Sequence, residues 1–239
     1  KFGEEKFPGI KEAEVDFWQV VPEGETDASL DKKGVILIDL GGGRFDHHDK
    51  KPQTTASDLI ANCLGVEEEV SLVKLLEYAR RDDFFGKGTI SNDPIDRAFG
   101  LSALVAALNK SLVKNPGRVV DIIMPILVAH HNEEARRTKE LPQEFEEKLK
   151  SGAAEIFEVK QRDKKLRAVI ITSESGSLAG YLRSQDGGKF DVVTQWLPSG
   201  HVNILTRPVK RIDLRSLAAL IRVEEATRAG KEFDMSARE

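Results

Sequence analysis

The residues best suited to chemistry are one aspartate and an Asp-His-His triplet that follows it closely. Asp39 ends the apolar run 35–38, and a glycine-rich stretch separates it from Asp46, His47 and His48. Carboxylate and imidazole groups together bind divalent transition metals such as manganese, iron or zinc. The triplet alone is more typical of a solvated loop than of a metal site. Its position after an apolar run that ends in aspartate favours a metal site.

The elements that position these residues are predicted from hydrophobic patterning. The run Val35–Asp39 predicts a strand buried on both faces, and Glu14–Val21 predicts another strand before it. Asp39 then lies at the carboxyl end of a strand, where ligands bind in open α/β sheets. The glycines that follow allow a sharp turn and leave room for a ligand. The pattern therefore predicts an α/β fold with a site at the sheet edge.

The segment from Leu37 to His48 resembles motifs two and three of the DHH phosphoesterases. That superfamily includes exonucleases, oligoribonucleases, cyclic-dinucleotide phosphodiesterases and manganese pyrophosphatases. The short Gly-Gly connection is most similar to the melanocyte-proliferating-gene branch, whose metal-dependent hydrolases are associated with RNA exonuclease activity. The resemblance implies a parallel-sheet DHH-type N-terminal lobe and a smaller α/β C-terminal lobe that binds the substrate.

The resemblance also implies a role for each residue of the motif. Asp39 would bridge two metal ions, most often Mn²⁺, and His47 would bind one of them. Asp46 would support His47 through the second ring nitrogen, an arrangement that fixes the imidazole. His48 would face the substrate phosphate, so that Asp39 and His48 are the expected catalytic residues.

The fourth motif of the superfamily is a further aspartate after a helix. Apolar spacing predicts a helix over Ser71–Arg81, and Asp82 and Asp83 follow it. Asp82 is the favoured metal ligand, with Asp83 in a supporting position. The alternative is that both are solvated charges, although acids at a helix C-terminus oppose the helix dipole.

The first motif, a histidine and acidic residues on an N-terminal strand and helix, is absent from this sequence. We expect that first strand and helix to lie upstream of Lys1. Three interpretations follow. The complete protein is a manganese-dependent phosphoesterase, of which this chain alone is inactive; or the chain is a non-catalytic nucleotide- or ligand-binding protein with the same fold; or it is a structural protein without metal.

The patterning changes after Lys160, and together with the resemblance this implies a DHH-like lobe at 1–140, a helical linker at 141–163 and a C-terminal α/β lobe at 164–239. The remaining predicted helices are Thr55–Leu64, Asp96–Lys110, Gly117–Arg137, Pro142–Val159, Leu178–Gln185 and Arg215–Arg228. The predicted C-terminal strands are Leu166–Thr172, Phe190–Leu197 and His201–Arg207.

Basic residues of the C-terminal lobe are the candidates for binding a substrate phosphate. They are Arg183, His201, Arg207, Lys210 and Arg211, although each alone is more typical of a solvated surface. The formal net charge of −4 gives no general nucleic-acid footprint, so a short RNA or nucleotide substrate needs a local basic patch.

Cysteine content and hydropathy indicate the compartment. The single cysteine, Cys63, excludes an internal disulfide and favours a reducing, cytoplasmic location. No apolar run approaches the length of a membrane span. The sequence carries no pattern that predicts an oligomeric state.

Overall fold

The computed structural model describes residues 2–49 and 53–230. The chain divides into two compact units, Lys1–Lys139 and Glu140–Glu239. Helices and a four-stranded sheet make the fold class mixed α/β, as predicted. The predicted linker 141–163 is part of the second unit. Residues 231–239 of the predicted C-terminal lobe lie outside the described residues.

The first unit is helical over its described residues. Its helices are α1 (Asp27–Asp31), α2 (Ala56–Leu64), α3 (Val73–Phe85), α4 (Pro94–Phe99), α5 (Leu101–Ser111) and α6 (Pro116–Ala135). A short 3₁₀ turn, Ile10–Glu12, precedes them, and a π-helical turn, Arg136–Glu140, follows α6. The helix predicted over Asp96–Lys110 is two helices, because Gly100 adopts an extended backbone between α4 and α5.

The strands predicted at Glu14–Val21 and Val35–Asp39 are wrong. Neither segment pairs with a neighbour, and the described part of the first unit contains no strand. Val20 is 75% exposed and Ile38 is 56% exposed, so the apolar residues do not line a sheet interior. A strand requires a partner for its backbone groups, and hydropathy alone does not supply one. The expected parallel-sheet lobe is therefore corrected to a helical unit.

The second unit is built on one mixed sheet. It contains α7 (Leu141–Lys150), β1 (Ala154–Gln161), β2 (Lys164–Thr172), α8 (Leu178–Arg183), β3 (Val192–Trp196), β4 (Val202–Thr206) and α9 (Arg215–Arg228). A 3₁₀ turn, Pro208–Lys210, lies between β4 and α9. The strand order is β1-β2-β3-β4, with β2 and β3 parallel and the two outer pairs antiparallel.

The helix predicted over Pro142–Val159 stops early. α7 ends at Lys150, and Gly152 follows with a positive φ of 75°, a conformation that glycine adopts without strain. The next residues include Ile156, Phe157 and Val159, which favour a strand, and they form β1. The other helix and strand predictions for this unit agree with the structure to within a few residues.

The main hydrophobic core lies in the second unit. It joins α7 and α8 to the sheet through Leu141, Ala154, Val169, Ile171, Leu178, Ala179, Tyr181, Leu182, Phe190 and Val193. In the first unit the buried apolar side chains are Leu30, Leu37, Phe45, Ala61 and Val119. Of the helices in the described residues, none combines the length and apolar character needed to cross a bilayer.

Candidate metal centre

A tight loop brings Asp39 back to the Asp-His-His triplet. The Asp39 N–H donates to the Phe45 carbonyl at 3.1 Å, and the Asp46 N–H donates to the Gly43 carbonyl at 3.3 Å. Phe45 is 3% exposed and anchors the loop. Asp39 has a φ of 61°, in the left-handed region that aspartate tolerates better than most residues. The loop therefore brings Asp39 at its start close to Asp46, His47 and His48 at its end.

Two glycines are required by this loop. Gly41 has a φ of 82°, and a Cβ there would lie 2.9 Å from a Val21 methyl carbon. A Cβ on Gly43 would lie 2.2 Å from the carboxyl carbon of Asp27. Both separations are shorter than van der Waals contact. The positive φ of Gly41 agrees with the predicted sharp turn, but the space beside both glycines is occupied by Val21 and Asp27 and is not left for a ligand.

Asp39, His47 and His48 form a cluster with metal-binding potential. One potential ligand atom from each residue lies within 4.8 Å of the other two. His47 Nε2 is 3.6 Å from Asp39 Oδ1 and 3.6 Å from Asp83 Oδ1. The His47 side chain is 11% exposed, so its imidazole is fixed among its neighbours. The predicted approach of Asp39 to His47 is thus present in the structure.

The structure places Asp83, rather than the favoured Asp82, beside His47. α3 extends to Phe85, beyond the predicted end at Arg81, and both aspartates lie in its last turn. Consecutive residues of a helix point about 100° apart. Asp83 therefore faces the His47 imidazole, and Asp82 points in a different direction. Asp82 contributes to the wall of the adjacent cleft.

Asp46 supports His48, and the predicted support of His47 is corrected. Asp46 Oδ1 lies 2.7 Å from His48 Nδ1, and the carboxylate accepts the Gly42 N–H at 2.8 Å. The Gly42 N–H, followed by the His48 ring, lowers the pKa of Asp46 to about 2. The Asp46 carboxylate in turn raises the pKa of His48. Among the described residues, the buried Nδ1 of His47 has no hydrogen-bond partner.

A cleft of about 210 Å³ opens beside the cluster. It is lined by Asp39, His47, Thr55, Ala56, Ser57, Ala79, Asp82 and Asp83. Thr55 caps α2 through reciprocal hydrogen bonds with Asp58, so the N-terminal end of α2 forms one wall. Arg80 of α3 also binds Asp58, at 2.9 Å, and joins the two helices that border the cleft.

The residues at the start of α2 were not predicted as part of the site. The sequence does contain an N-cap signal at Thr55. The only hint that this helix start lies near the site is that Thr55 follows His48 by few residues. Seven residues can span at most about 25 Å, so the sequence alone does not place the helix start at the cluster.

Three of the predicted phosphate ligands of the second unit have partners within that unit. Arg183 Nη1 donates to the Thr206 carbonyl at 2.9 Å, joining α8 to β4. Arg207 lies 3.4 Å from the buried carboxylate of Asp191, and Lys210 lies 3.7 Å from it. His201 is exposed in the turn between β3 and β4. Arg183, Arg207 and Lys210 therefore bind groups of the protein itself, and substrate contact remains a prediction for all five candidates.

Comparison with known proteins adds no relative. No protein-family model, no curated protein and no solved structure matches this chain. The resemblance to the DHH phosphoesterases therefore depends on the sequence motif alone.

Proposed function

We propose that Asp39, His47 and Asp83 bind one divalent transition-metal ion and that this ion belongs to a DHH-type phosphoesterase centre. The observation that supports the proposal is the position of two carboxylate oxygens at 3.6 Å from the same imidazole nitrogen. Metal–ligand bonds to His and carboxylate are about 2.0–2.2 Å, so two ligands on one ion lie roughly 3–3.5 Å apart.

An ordinary ion triad is the competing explanation for these distances. A protonated imidazole would attract both carboxylates into charge-assisted hydrogen bonds of about 2.7–2.9 Å. The distance of 3.6 Å is too long for such bonds and close to the spacing across a shared ion. One nitrogen and two carboxylate oxygens also suit manganese, iron or zinc, and the family resemblance favours Mn²⁺.

The surrounding residues are suited to a phosphodiester. A bound cation would polarise a phosphoryl oxygen and lower the pKa of a bound water. The Nδ1–H of His48 donates to Asp46, which leaves Nε2 to contact a substrate oxygen. The N-terminal end of α2 contributes partial positive charge on the other side of the cleft. A short RNA or a nucleotide, in a cytoplasmic setting, is the proposed substrate.

A second candidate function is metal-dependent ligand binding without turnover. It is favoured because Asp39, His47 and Asp83 serve a single ion, whereas the two-metal chemistry of the superfamily requires further carboxylates. This candidate predicts the same bound metal and the same dependence on Asp39, but no hydrolysis.

Metal titration of the full chain tests the proposal. We expect Mn²⁺ binding by calorimetry that weakens at least about 10-fold in Asp39→Asn and in His47→Gln, since each change removes a metal ligand. Asp121→Asn, an exposed aspartate of α6, is the matched control and should bind as the parent does. Absence of binding to Mn²⁺, Fe²⁺ and Zn²⁺ would overturn the proposal.

Hydrolysis assays separate the two candidates. Cleavage of a short RNA or of bis(p-nitrophenyl) phosphate that requires metal and Asp39 supports the phosphoesterase. Metal binding without cleavage supports the binding protein.

A further inference from the structure

The second unit contains a strongly basic pocket, separate in sequence from the candidate metal centre. It has a volume of about 260 Å³ and lies between the β1–β2 turn and the segment that leads into α9. Its lining residues are Gln161, Arg162, Lys164, Arg211, Asp213 and Arg215. Four cationic side chains therefore share the pocket with one carboxylate.

Asp213 and Gln161 hold the walls of the pocket together. The Gln161 amide donates to the Asp213 carbonyl at 2.8 Å and accepts the Asp213 N–H at 3.1 Å. The Asp213 carboxylate binds Arg215 through Nε at 3.0 Å and Nη2 at 2.6 Å. This pairing lowers the pKa of Asp213 and raises that of Arg215. The one acidic group of the pocket is thus paired directly with one of its four cations, Arg215, and attracts Arg162 at longer range.

The other three cations retain donors for a ligand. Within residues 2–49 and 53–230, the guanidinium groups of Arg162 and Arg211 have no hydrogen bond and no ion pair within 4 Å. Lys164 donates to the Lys210 carbonyl at 3.1 Å and keeps further ammonium hydrogens. Arg183 and Arg207 of the same unit are instead bound to protein acceptors. The pocket therefore concentrates positive charge that the protein does not neutralise.

Two of the arginines that line the pocket also have a strained backbone. Arg162 has a φ of 55° and Arg211 a φ of 45°. In the described part of the chain, the other non-glycine residues with positive φ are Asp39 and Lys189. A side chain in this region is energetically unfavourable, and such residues cluster at ligand sites. Glycine or asparagine would suit both positions better, so their occupation by arginine has a cost in stability that a ligand contact would explain.

We propose that this pocket binds a phosphate group of a phosphorylated ligand. Arginine presents a planar set of donors that matches a phosphate oxygen pair. The Asp213 carboxylate accepts the Arg215 N–H at 3.0 Å at the start of α9. The N-cap residue Leu214 makes no side-chain cap, so the other N–H groups of the first turn contribute partial positive charge. The volume of about 260 Å³ is below the roughly 300–1,000 Å³ of ordinary ligand pockets. It therefore suits a phosphate or diphosphate group better than a whole nucleotide.

The test uses the full chain in EDTA, so that the proposed metal centre does not contribute to binding. Inorganic pyrophosphate, AMP and a short RNA are titrated separately by calorimetry at low salt. We expect at least one of them to bind, and binding to weaken at least tenfold in the Arg162→Asn/Arg211→Asn variant. Arg228→Ala removes one arginine charge outside the pocket, from an Arg228–Glu224 pair on α9, and should leave binding unchanged.

Melting temperatures show whether the double variant loses binding only because it misfolds. Asparagine tolerates the left-handed backbone, so the double variant should melt at the same temperature as the parent or higher. Binding of pyrophosphate or AMP identifies a small phosphorylated ligand, whereas binding of RNA alone identifies an internal phosphodiester. Absence of binding by all three probes, or an equal loss in Arg228→Ala, overturns the proposal.

Discussion

Asp82 and Asp83 are adjacent in the last turn of α3, and the structure gives them different surroundings. Asp83 lies 3.6 Å from His47 Nε2, whereas Asp82 lines the neighbouring cleft. If the proposed ion lies between Asp39 and His47, Asp83→Asn should weaken Mn²⁺ binding at least about 10-fold. Asp82→Asn should change it less than about threefold, since it removes charge but no ligand. Calorimetric titration measures both, and a larger effect at Asp82 would contradict the assignment.

The residues of the site were predictable where a short loop determines their distance. Asp39 and His47 are separated by a glycine-rich turn, so their proximity follows from the chain itself. The choice between Asp82 and Asp83 was not predictable, because a difference of one residue changes the direction of a helical side chain by about 100°. The partner of Asp46 was likewise decided by backbone geometry, which directs its carboxylate to Gly42 and His48.

At the scale of elements, the connection between α8 and β3 depends on one glycine. A Cβ on Gly187 would lie 2.1 Å from the Tyr181 carbonyl oxygen and 2.7 Å from Leu182 Cα, both in the backbone of α8. Gly187→Ala should therefore lower the free energy of unfolding by about 1–3 kcal/mol. Urea denaturation followed by circular dichroism checks this expectation.

Gly180, inside the same helix, is the matched control. A Cβ there would contact no atom within 4 Å, and the position is exposed. Gly180→Ala should stabilise the protein by about 0.5–1 kcal/mol, because alanine favours the helix. If the two substitutions changed the free energy of unfolding equally, the close packing at Gly187 would not contribute to stability as proposed.

Elements were predictable where the sequence determines them locally. β2, β3 and β4 follow from alternating apolar residues bounded by turn residues, and α2 follows from its cap at Thr55 and its end at Gly65. The segments Glu14–Val21 and Val35–Asp39 have strand-like composition, but pairing depends on a neighbour that is distant in sequence. Composition is therefore a poor guide to strands whose partner is not adjacent.

At the scale of the whole molecule, the two units differ in how much apolar surface they bury. The largest buried side chains of the second unit, including Phe190, Ile171 and Leu182, form one continuous cluster. In the first unit many apolar residues remain exposed, such as Phe99 at 74% and Ile95 at 69%. Because burial of apolar surface is the dominant stabilising term, we expect the first unit to unfold at a lower urea concentration.

Each unit contains one tryptophan, Trp18 in the first and Trp196 in the second. In Trp196→Phe and Trp18→Phe variants, the remaining tryptophan reports on the unfolding of one unit, and the Trp18 transition should occur at the lower urea concentration.

A metal ion that binds only the folded first unit stabilises that unit, by about 2.7 kcal/mol at a concentration 100 times its Kd. Saturating Mn²⁺ should therefore raise the Trp18 midpoint and leave the Trp196 midpoint unchanged, and Asp39→Asn should abolish the shift. A shift of both midpoints, or one that persists in Asp39→Asn, would place the metal elsewhere.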